Sequence, residues 1–303
     1  RALHLSIRRQ RQMCIRDSFN RPWREVLMPT PIAVDHLVAG VLEDVAAREA
    51  RVSFKEVKAR SRDMEPPRDA RAALLRTGCS VITELKRAVP YGGEIAHVGS
   101  AEQMAEWART FEHCGVHLMA CQTDFRRFHG SLEDMAAARA AIDIPMMSRD
   151  LIVDPYQIHE ARCFGADAIP LQVELLEQAR LEALLDRVES LGMTAIVEVR
   201  NCAEVDRAIK AGSSVIAINA WSLASDAINR EAFNDIAPGL PESILRIAVG
   251  GVNNARNLFH YASRGADAVL VGESVMAAQD PTALARSLVA AGQHPACPAR
   301  KIE

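Results

Sequence analysis

Several patterns that mark specialised protein classes are missing from this chain. It contains no run of eighteen or more apolar residues, so the sequence predicts no membrane-spanning helix. Acidic and basic residues nearly balance, giving a net charge of −3 over 303 residues, and this indicates no overall attraction to nucleic acid or to an anionic membrane. We therefore expect neither nucleic acid nor a membrane as a partner, and we expect a cytoplasmic protein.

The seven cysteines lack the spacing of metal sites and of disulfide frameworks. No Cys-x-x-Cys pair occurs, and the nine histidines form no His-Glu-x-x-His motif. The cysteines are therefore predicted to be reduced and mostly buried, and no metal site is predicted. His159, alone in a helical stretch, is expected to be a surface or capping residue.

The two ends of the chain differ from its middle. The first eighteen residues are rich in arginine and lack the apolar core and cleavage motif of a signal peptide, so we expect residues 1–27 to be a non-native or disordered leader, with the natural start at Met28. Helical periodicity over residues 31–61 predicts an N-terminal helical extension, which we assign to residues 28–78. Residues 293–303 are expected to form a C-terminal tail.

A repeated unit of amphipathic helix, glycine and short apolar run fills residues 79–292. The glycines are Gly115, Gly165, Gly192, Gly212 and Gly265. Glycine suits the end of a helix because it enters the left-handed conformation without a Cβ penalty. The runs are nearly continuous and often β-branched, as strands buried on both faces should be. Together with runs at 80–85, 144–148 and 245–249 they make eight strands, each followed by a helix.

Eight alternating units predict the α/β class and a (β/α)8 TIM barrel, a fold that typically needs about 250 residues. A doubly wound open sheet is the alternative, but no Gly-x-Gly-x-x-Gly follows the first strand. The third unit is the clearest, since Asp154 and Pro155 supply an N-cap and a first-turn proline for its helix. In a barrel, function is expected at the carboxyl ends of the strands.

Polar residues gather at those predicted strand ends. They are Glu84 and Lys86, Thr123 and Asp124, Arg149 and Asp150, Gln172 and Glu174, Glu198, and Asn219. Any one of them alone is more commonly a solvated rim residue. As a group, Glu84, Lys86, Glu198 and Asn219 would converge on one mouth of the barrel, and we interpret them as a functional site.

Two pairs of residues that contain glycine follow the last two predicted strands. Gly250 and Gly251 come after the seventh strand, and Gly272 and Glu273 after the eighth. Each pair alone is compatible with an ordinary tight turn. Barrels commonly bind phosphate at this place through backbone N–H groups, so we predict phosphate binding by these four residues.

Long stretches of the chain resemble the indole-3-glycerol phosphate synthase family, and especially its actinobacterial members. They are VITELKRAVPYGG at the first strand, DPYQIHEARCFGADA at the third helix and fourth strand, LLDRVESLGMTAIVEVRNCAEVDRAIKAG in the fifth unit and GADAVLVGESVMAAQDP in the eighth. The resemblance implies a lyase of tryptophan biosynthesis. Its reaction closes an indole ring in carboxyphenylamino-deoxyribulose phosphate with loss of carbon dioxide and water, and it needs no metal or organic cofactor.

The resemblance also implies roles for individual residues. Glu198 matches the general base, while Glu84, Lys86 and Asn219 match residues that organise the site. Phe128 matches an aromatic residue that lines the substrate site, and Trp221 is expected to contact the substrate as well. Arg149 is the expected fifth catalytic residue, because it stands where the family has its general-acid lysine.

The chain departs from the family at several of these places. Arg149 replaces the family's lysine, and Leu151 replaces an aromatic residue. Val89-Pro90-Tyr91 stands in place of Ser-Pro-Ser, Asn219-Ala220-Trp221 in place of Asn-x-Arg, and Val249-Gly250-Gly251 in place of Glu-Ser-Gly. Arginine is a poor proton donor because its pKa exceeds about 12. Either Lys86 takes over as the acid, or Arg149 stabilises an oxyanion without transferring a proton.

Three functions remain open from the sequence. The first is a working or weakened indole-3-glycerol phosphate synthase, and the second is a related barrel enzyme with a changed phosphosugar substrate. The third is a divergent, inactive paralogue that binds a metabolite or a partner protein. In the first two cases the partner is a small phosphorylated molecule, and the chain is expected to be a monomer or a weak homodimer.

Overall fold

The computed structural model describes residues 34–89, 93–94, 98–222 and 228–298. The predicted leader, Met28, Pro90, Tyr91 and the end of the predicted tail lie outside these residues. Among the described residues, no helix is both long and apolar enough to cross a membrane.

Eight parallel strands close into a barrel. They are β1 (Ser80–Leu85), β2 (Leu118–Gln122), β3 (Met146–Arg149), β4 (Ala168–Gln172), β5 (Thr194–Val199), β6 (Val215–Asn219), β7 (Leu245–Val249) and β8 (Ala268–Val271). Each strand pairs with its neighbour in the chain, and β8 returns to β1 with Ser80 opposite Ala268. The predicted (β/α)8 TIM barrel is confirmed, and the open sheet is excluded.

Helices follow every strand. They are Ala101–His113 after β1; Phe125–Phe128 and Leu132–Ala140 after β2; Pro155–Cys163 after β3; Gln178–Ser190 after β4; Cys202–Lys210 after β5; Ala232–Ile236 after β6; Ala255–Ser263 after β7; and Glu273–Met276 and Pro281–Gly292 after β8. Short 3-10 turns occupy Val173–Leu175 and Ala237–Gly239, and a small antiparallel hairpin pairs Ala88–Val89 with Gly93–Glu94. The five repeat glycines have φ angles between +75° and +93°, as predicted for helix ends.

The helix after β3 begins as the sequence predicts. Asp154 is its N-cap, and the Asp154 carboxylate accepts a hydrogen bond from the backbone N–H of Tyr156. The Gln157 side chain reaches back to the N-cap backbone, which completes a capping box, and Pro155 lies in the first turn. This capping fixes the point at which the chain leaves the mouth of the barrel.

The N-terminal extension consists of separate helices rather than one. Val34–Glu49 and Phe54–Arg62 are divided at Ser53, whose extended backbone and side-chain oxygen cap the second helix, and a short helix, Ala70–Leu74, precedes β1. The second helix packs on Pro155–Cys163, where Ser61 Oγ lies 2.7 Å from His159 Nδ1.

The expectation of a surface position for His159 is therefore wrong. Its side chain is fully buried because the N-terminal extension covers the helix that carries it. Burial, together with nearby cations, lowers the pKa of His159 to about 4, so the ring is neutral at neutral pH.

Two apolar clusters form the core. The larger one lies between the strands and the surrounding helices, with Val81, Leu85 and Met119 among its members. The smaller cluster takes the alternate strand residues, such as Ile82, Met147 and Ile196, and therefore fills the inside of the barrel. This alternation decides which side chains reach the mouth.

Candidate active site

Four of the five predicted catalytic residues follow an interior residue of the barrel by two positions. Glu84 follows Ile82, Arg149 follows Met147, Glu198 follows Ile196, and Asn219 follows Ala217. Side chains two positions apart on a strand point to the same face. The four polar groups therefore continue the interior column of side chains at its carboxyl end, and β1, β3, β5 and β6 bring them together.

Arg149 lies between two carboxylates. Its Nη1 forms an ion pair with Glu198 Oε1, and its Nε lies 3.8 Å from Glu84 Oε1. Asn219 donates a hydrogen bond of 3.3 Å from Nδ2 to the other oxygen of Glu198. Only 13% of the Arg149 side chain is exposed, so these charges interact largely away from water.

This position determines the protonation state of Arg149. Burial acts to lower the pKa of Arg149, but the charges of Glu198 and Glu84 outweigh burial and raise it. Arg149 therefore keeps its proton throughout the range in which proteins work. It can stabilise negative charge, but it cannot act as a general acid.

Lys86 is the second cation beside Glu84. Its Nζ lies 3.0 Å from Glu84 Oε2 and 5.7 Å from the centre of the Phe128 ring. Gln122 donates a hydrogen bond of 3.2 Å from Nε2 to the other Glu84 oxygen, so both carboxylate oxygens are held. Unlike Arg149, Lys86 carries a proton that it can transfer.

Gly272 gives this pair the space that it needs. A Cβ atom at position 272 would lie 2.4 Å from Glu84 Oε2 and 3.0 Å from Lys86 Cε. Real Cβ atoms do not approach other atoms as closely as 2.4 Å. The end of β8 therefore helps to hold the Glu84–Lys86 pair, and the predicted contact of Gly272 with phosphate stays a prediction.

A cavity open to solvent contains most of these groups. Its lining side chains are Arg149, Glu198 and Asn219, the predicted substrate contacts Phe128 and Trp221, and also Gln122, Asp150, Leu151, Gln172, Glu174 and Arg200. All of them come from β2 to β6 or from the segments that follow these strands. Aromatic and charged groups thus face one space.

The four residues predicted to bind phosphate directly follow the neighbouring strands β7 and β8. Gly250 and Gly251 form an exposed turn after β7 with φ angles of +87° and +76°, and Gly272 and Glu273 follow β8. Strands β7 and β8 fill the arc of the barrel between β6 and β1. Both turns are therefore at the same end of the barrel as the cavity.

The sequence analysis missed two side chains of the site, Gln122 and Arg200. Arg200 forms an ion pair with Glu174, and its Nη2 lies 2.8 Å from Glu204 Oε1. The sequence does indicate that Arg200 belongs to the site, because it follows Glu198 by two positions and continues the same face beyond the end of β5.

The described residues show no metal-binding arrangement. Nowhere in the described part of the chain are three or more His, Cys, Asp or Glu residues placed to hold a metal ion. The six described cysteines are all free, and Cys79, Cys114, Cys121 and Cys297 are buried. Burial raises the pKa of Cys121, which favours the neutral thiol.

The fold and the site together define a (β/α)8-barrel enzyme with acid–base groups at the carboxyl ends of its strands. The sequence model of the indole-3-glycerol phosphate synthase family matches residues 34–288, and the chain belongs to that family. It is 49% identical over 271 residues to an indole-3-glycerol phosphate synthase from Mycobacterium sp. (strain KMS). It is 48% identical over 271 residues to one from Mycobacterium avium (strain 104). Each alignment covers 89% of this chain and 98% of the relative.

Solved structures of other proteins share the barrel. A 3-hexulose-6-phosphate synthase from Salmonella typhimurium aligns with a TM-score of 0.55 and 15% identity, covering 70% of this chain and 97% of that one. An N-acetylmannosamine-6-phosphate 2-epimerase from Clostridium perfringens aligns with a TM-score of 0.51 and 15% identity, covering 66% and 89%. At such identities the likeness shows the fold alone.

Proposed function

We propose that this chain is a working indole-3-glycerol phosphate synthase that closes the indole ring of carboxyphenylamino-deoxyribulose phosphate. Family membership and the similarity to the mycobacterial enzymes support this activity. The observation that carries it is the placement of a lysine and a carboxylate at one mouth. Lys86 pairs with Glu84 and lies 5.7 Å from the ring of Phe128, while Glu198 is held by Asn219 and lines the cavity together with Phe128.

Ring closure requires a proton donor and later a base. The ring carbon that bears the carboxylate attacks the ketone carbon, and the ketone oxygen takes a proton from Lys86 to become a hydroxyl group. Carbon dioxide then leaves, and its bonding electron pair restores the aromatic ring. Lys86 takes up a proton from solvent, and Glu198 then removes a proton from the neighbouring CH₂ group while the hydroxyl leaves as water with this second proton from Lys86. One carbon dioxide and one water are lost in total.

Arg149 assists this sequence without giving up its proton. Its guanidinium group forms an ion pair with Glu198, the proposed base. Its positive charge stabilises the negative charge that develops on the ketone oxygen during attack. The role of the family's lysine is thus divided between Lys86, which transfers the proton, and Arg149, which supplies fixed charge.

Substrate binding uses the rest of the mouth. Phe128 and Trp221 line the cavity, and their rings offer apolar surface to the aryl group of the substrate. Backbone N–H groups of Gly250, Gly251, Gly272 and Glu273 bind the phosphate in this proposal. The two positive φ angles after β7 support it, because consecutive glycines let a backbone approach an anion closely.

One observation favours a second candidate, a paralogue that binds a phosphorylated metabolite without converting it. The direct ion pair of Arg149 with Glu198 engages the carboxylate that has to act as the base. A related enzyme with a changed phosphosugar substrate is a separate alternative, since Trp221 stands where the resemblance predicts arginine. In both cases phosphosugars would bind, but no indoleglycerol phosphate would form.

The test is an assay of purified protein with the open-chain substrate, with Glu198→Gln as the control. We expect indoleglycerol phosphate and carbon dioxide in equal amounts from the unchanged protein, and a rate lower by about 100-fold or more from the variant. A complete absence of product at high enzyme concentration would exclude the proposed activity. Stabilisation of the same protein by phosphosugars would then favour the non-catalytic candidate.

The biosynthetic family and the six free cysteines support a cytoplasmic location. We also expect a monomer or a weak homodimer. Sedimentation across a range of concentrations would check the oligomeric state.

A further inference from the structure

Arg200 is a buried cation of the cavity that the acid–base groups do not use. It lines the cavity together with Trp221, and only 14% of its side chain is exposed. Val199 of β5 lies opposite Ile218 of β6 in the sheet, so the next residue, Arg200, lies beside Asn219. Arg200 is therefore close to the position at which the family has the arginine that Trp221 replaces in this chain.

Two carboxylates hold Arg200, and they differ in kind. Glu204 is a local partner on the following helix, with Oε1 2.8 Å from Nη2 and Oε2 3.2 Å from Nε. Glu174 reaches across from the segment after β4 and forms an ion pair with Nη1. Glu174 also accepts a hydrogen bond of 2.8 Å from Ser222 Oγ, next to Trp221. The Glu174 carboxylate thus lies in the cavity between Arg200 and the segment that carries the tryptophan.

We propose that Arg200 is a specificity-determining residue that binds the ring carboxylate of the aryl substrate, and that Glu174 holds this place until the ligand displaces it. The inference rests on the proposed function, because that substrate carries a carboxylate on an aromatic ring. A guanidinium group fits a carboxylate through two parallel N–H···O bonds, and the Trp221 ring offers a face for the aryl group beside it.

This arrangement predicts effects of opposite sign for the two partners. Removing the charge of Arg200 removes the group that binds the carboxylate. Removing the charge of Glu174 removes the group that competes with the ligand for Arg200, so a carboxylated ligand binds more tightly. If the pair only stabilised the fold, both substitutions would weaken binding, and neither would depend on the ligand's carboxylate.

The experiment measures binding of two unreactive probes by calorimetry. One is the open-chain substrate with its ketone reduced to an alcohol, and the other is the same molecule without the ring carboxylate. The proteins are the unchanged chain, Arg200→Gln, Arg200→Lys, Glu174→Gln and the control Arg180→Gln, which removes an arginine that pairs with Asp154 outside the cavity. Thermal unfolding of each variant checks that it is folded.

We expect the unchanged chain and Arg180→Gln to prefer the carboxylated probe by about tenfold or more. Arg200→Gln should bind both probes alike, Arg200→Lys should regain part of the preference, and Glu174→Gln should bind the carboxylated probe more tightly than the unchanged chain does. An undiminished preference in folded Arg200→Gln would overturn the inference while the proposed function stood. Failure of the unchanged chain to bind either probe would overturn both.

Discussion

Arg149 forms an ion pair with Glu198 across the mouth of the barrel, and the charge of Glu198 helps to keep Arg149 protonated. A cation that cannot release its proton thus stands where the resemblance to the family predicts a proton donor. Lys86, 3.0 Å from Glu84, is the neighbouring cation with a transferable proton.

Removing the charge of Arg149 should destabilise the folded protein. Glu198 and Glu84 are almost completely buried, and Arg149→Gln leaves them without their shared cation. Breaking a buried ion pair on one side costs about 3 kcal/mol or more, so the free energy of unfolding by urea should fall by that amount at neutral pH. Arg149→Lys, which keeps a positive charge, is the control and should lose much less.

Adding one methyl group at Gly272 should disturb the Glu84–Lys86 pair. The new Cβ would lie 2.4 Å from Glu84 Oε2, so the carboxylate must move away and take Lys86 with it. Displacing a proton donor by about 1 Å can cost about 100-fold in rate, and we expect a loss of kcat of that order in Gly272→Ala. Gly239→Ala is the control, because nothing lies within 4 Å of its added Cβ. Similar kcat values for the two variants would show that Gly272 does not position the pair.

Asp150 should make stability depend on pH. Its carboxylate accepts hydrogen bonds from Thr123 Oγ1 at 3.0 Å and from the N–H of Leu151 at 2.7 Å. Burial, and then the charge of Asp124, raises the pKa of Asp150 to about 7. An unfolded aspartate has a pKa of about 3.9, so between these values the folded state binds more protons than the unfolded state. This group's contribution to stability therefore falls as pH rises from about 4 to about 7.

Asp150→Asn removes that titration and keeps the size of the side chain. The free energy of unfolding is measured for both proteins at about pH 5 and at about pH 8. We expect it to fall between these pH values in both, and the fall in the unchanged protein should exceed the fall in the variant by more than about 1 kcal/mol. Equal pH dependence in the two proteins would show that Asp150 is ionised in the fold at both pH values.

The barrel and the core of its site followed from local features of the sequence. Glycines at five helix ends, together with short and nearly continuous apolar runs, predicted eight units, and the carboxyl ends of those runs placed Glu84 and Glu198 at the mouth. These sequence patterns can be recognised without knowing which helices and strands pack against each other. The burial of His159 depends instead on the N-terminal extension packing over a distant helix, as its contact with Ser61 shows. No periodicity within a single helix carries that information.

The ion pairs among the side chains at the mouth of the barrel could not be predicted from local sequence patterns either. The sequence identified Arg149 as an unusual residue but left open whether it or Lys86 meets the developing charge. Only the distances from Arg149 to Glu84 and Glu198 show that its proton is held. Arg200 was missed because it lies just beyond the end of β5, where its ion pair with Glu174 depends on the segment after β4.

The turnover number of Lys86→Arg tests the division of roles most directly. Arginine keeps the positive charge beside Glu84 but cannot donate a proton at neutral pH. If Lys86 is the general acid, kcat of the purified variant should fall by about 100-fold or more while KM changes little, because the charge that holds Glu84 is retained. A kcat within about twofold of the unchanged protein would contradict the account, since Lys86 would then supply charge alone and the proton would come from another group.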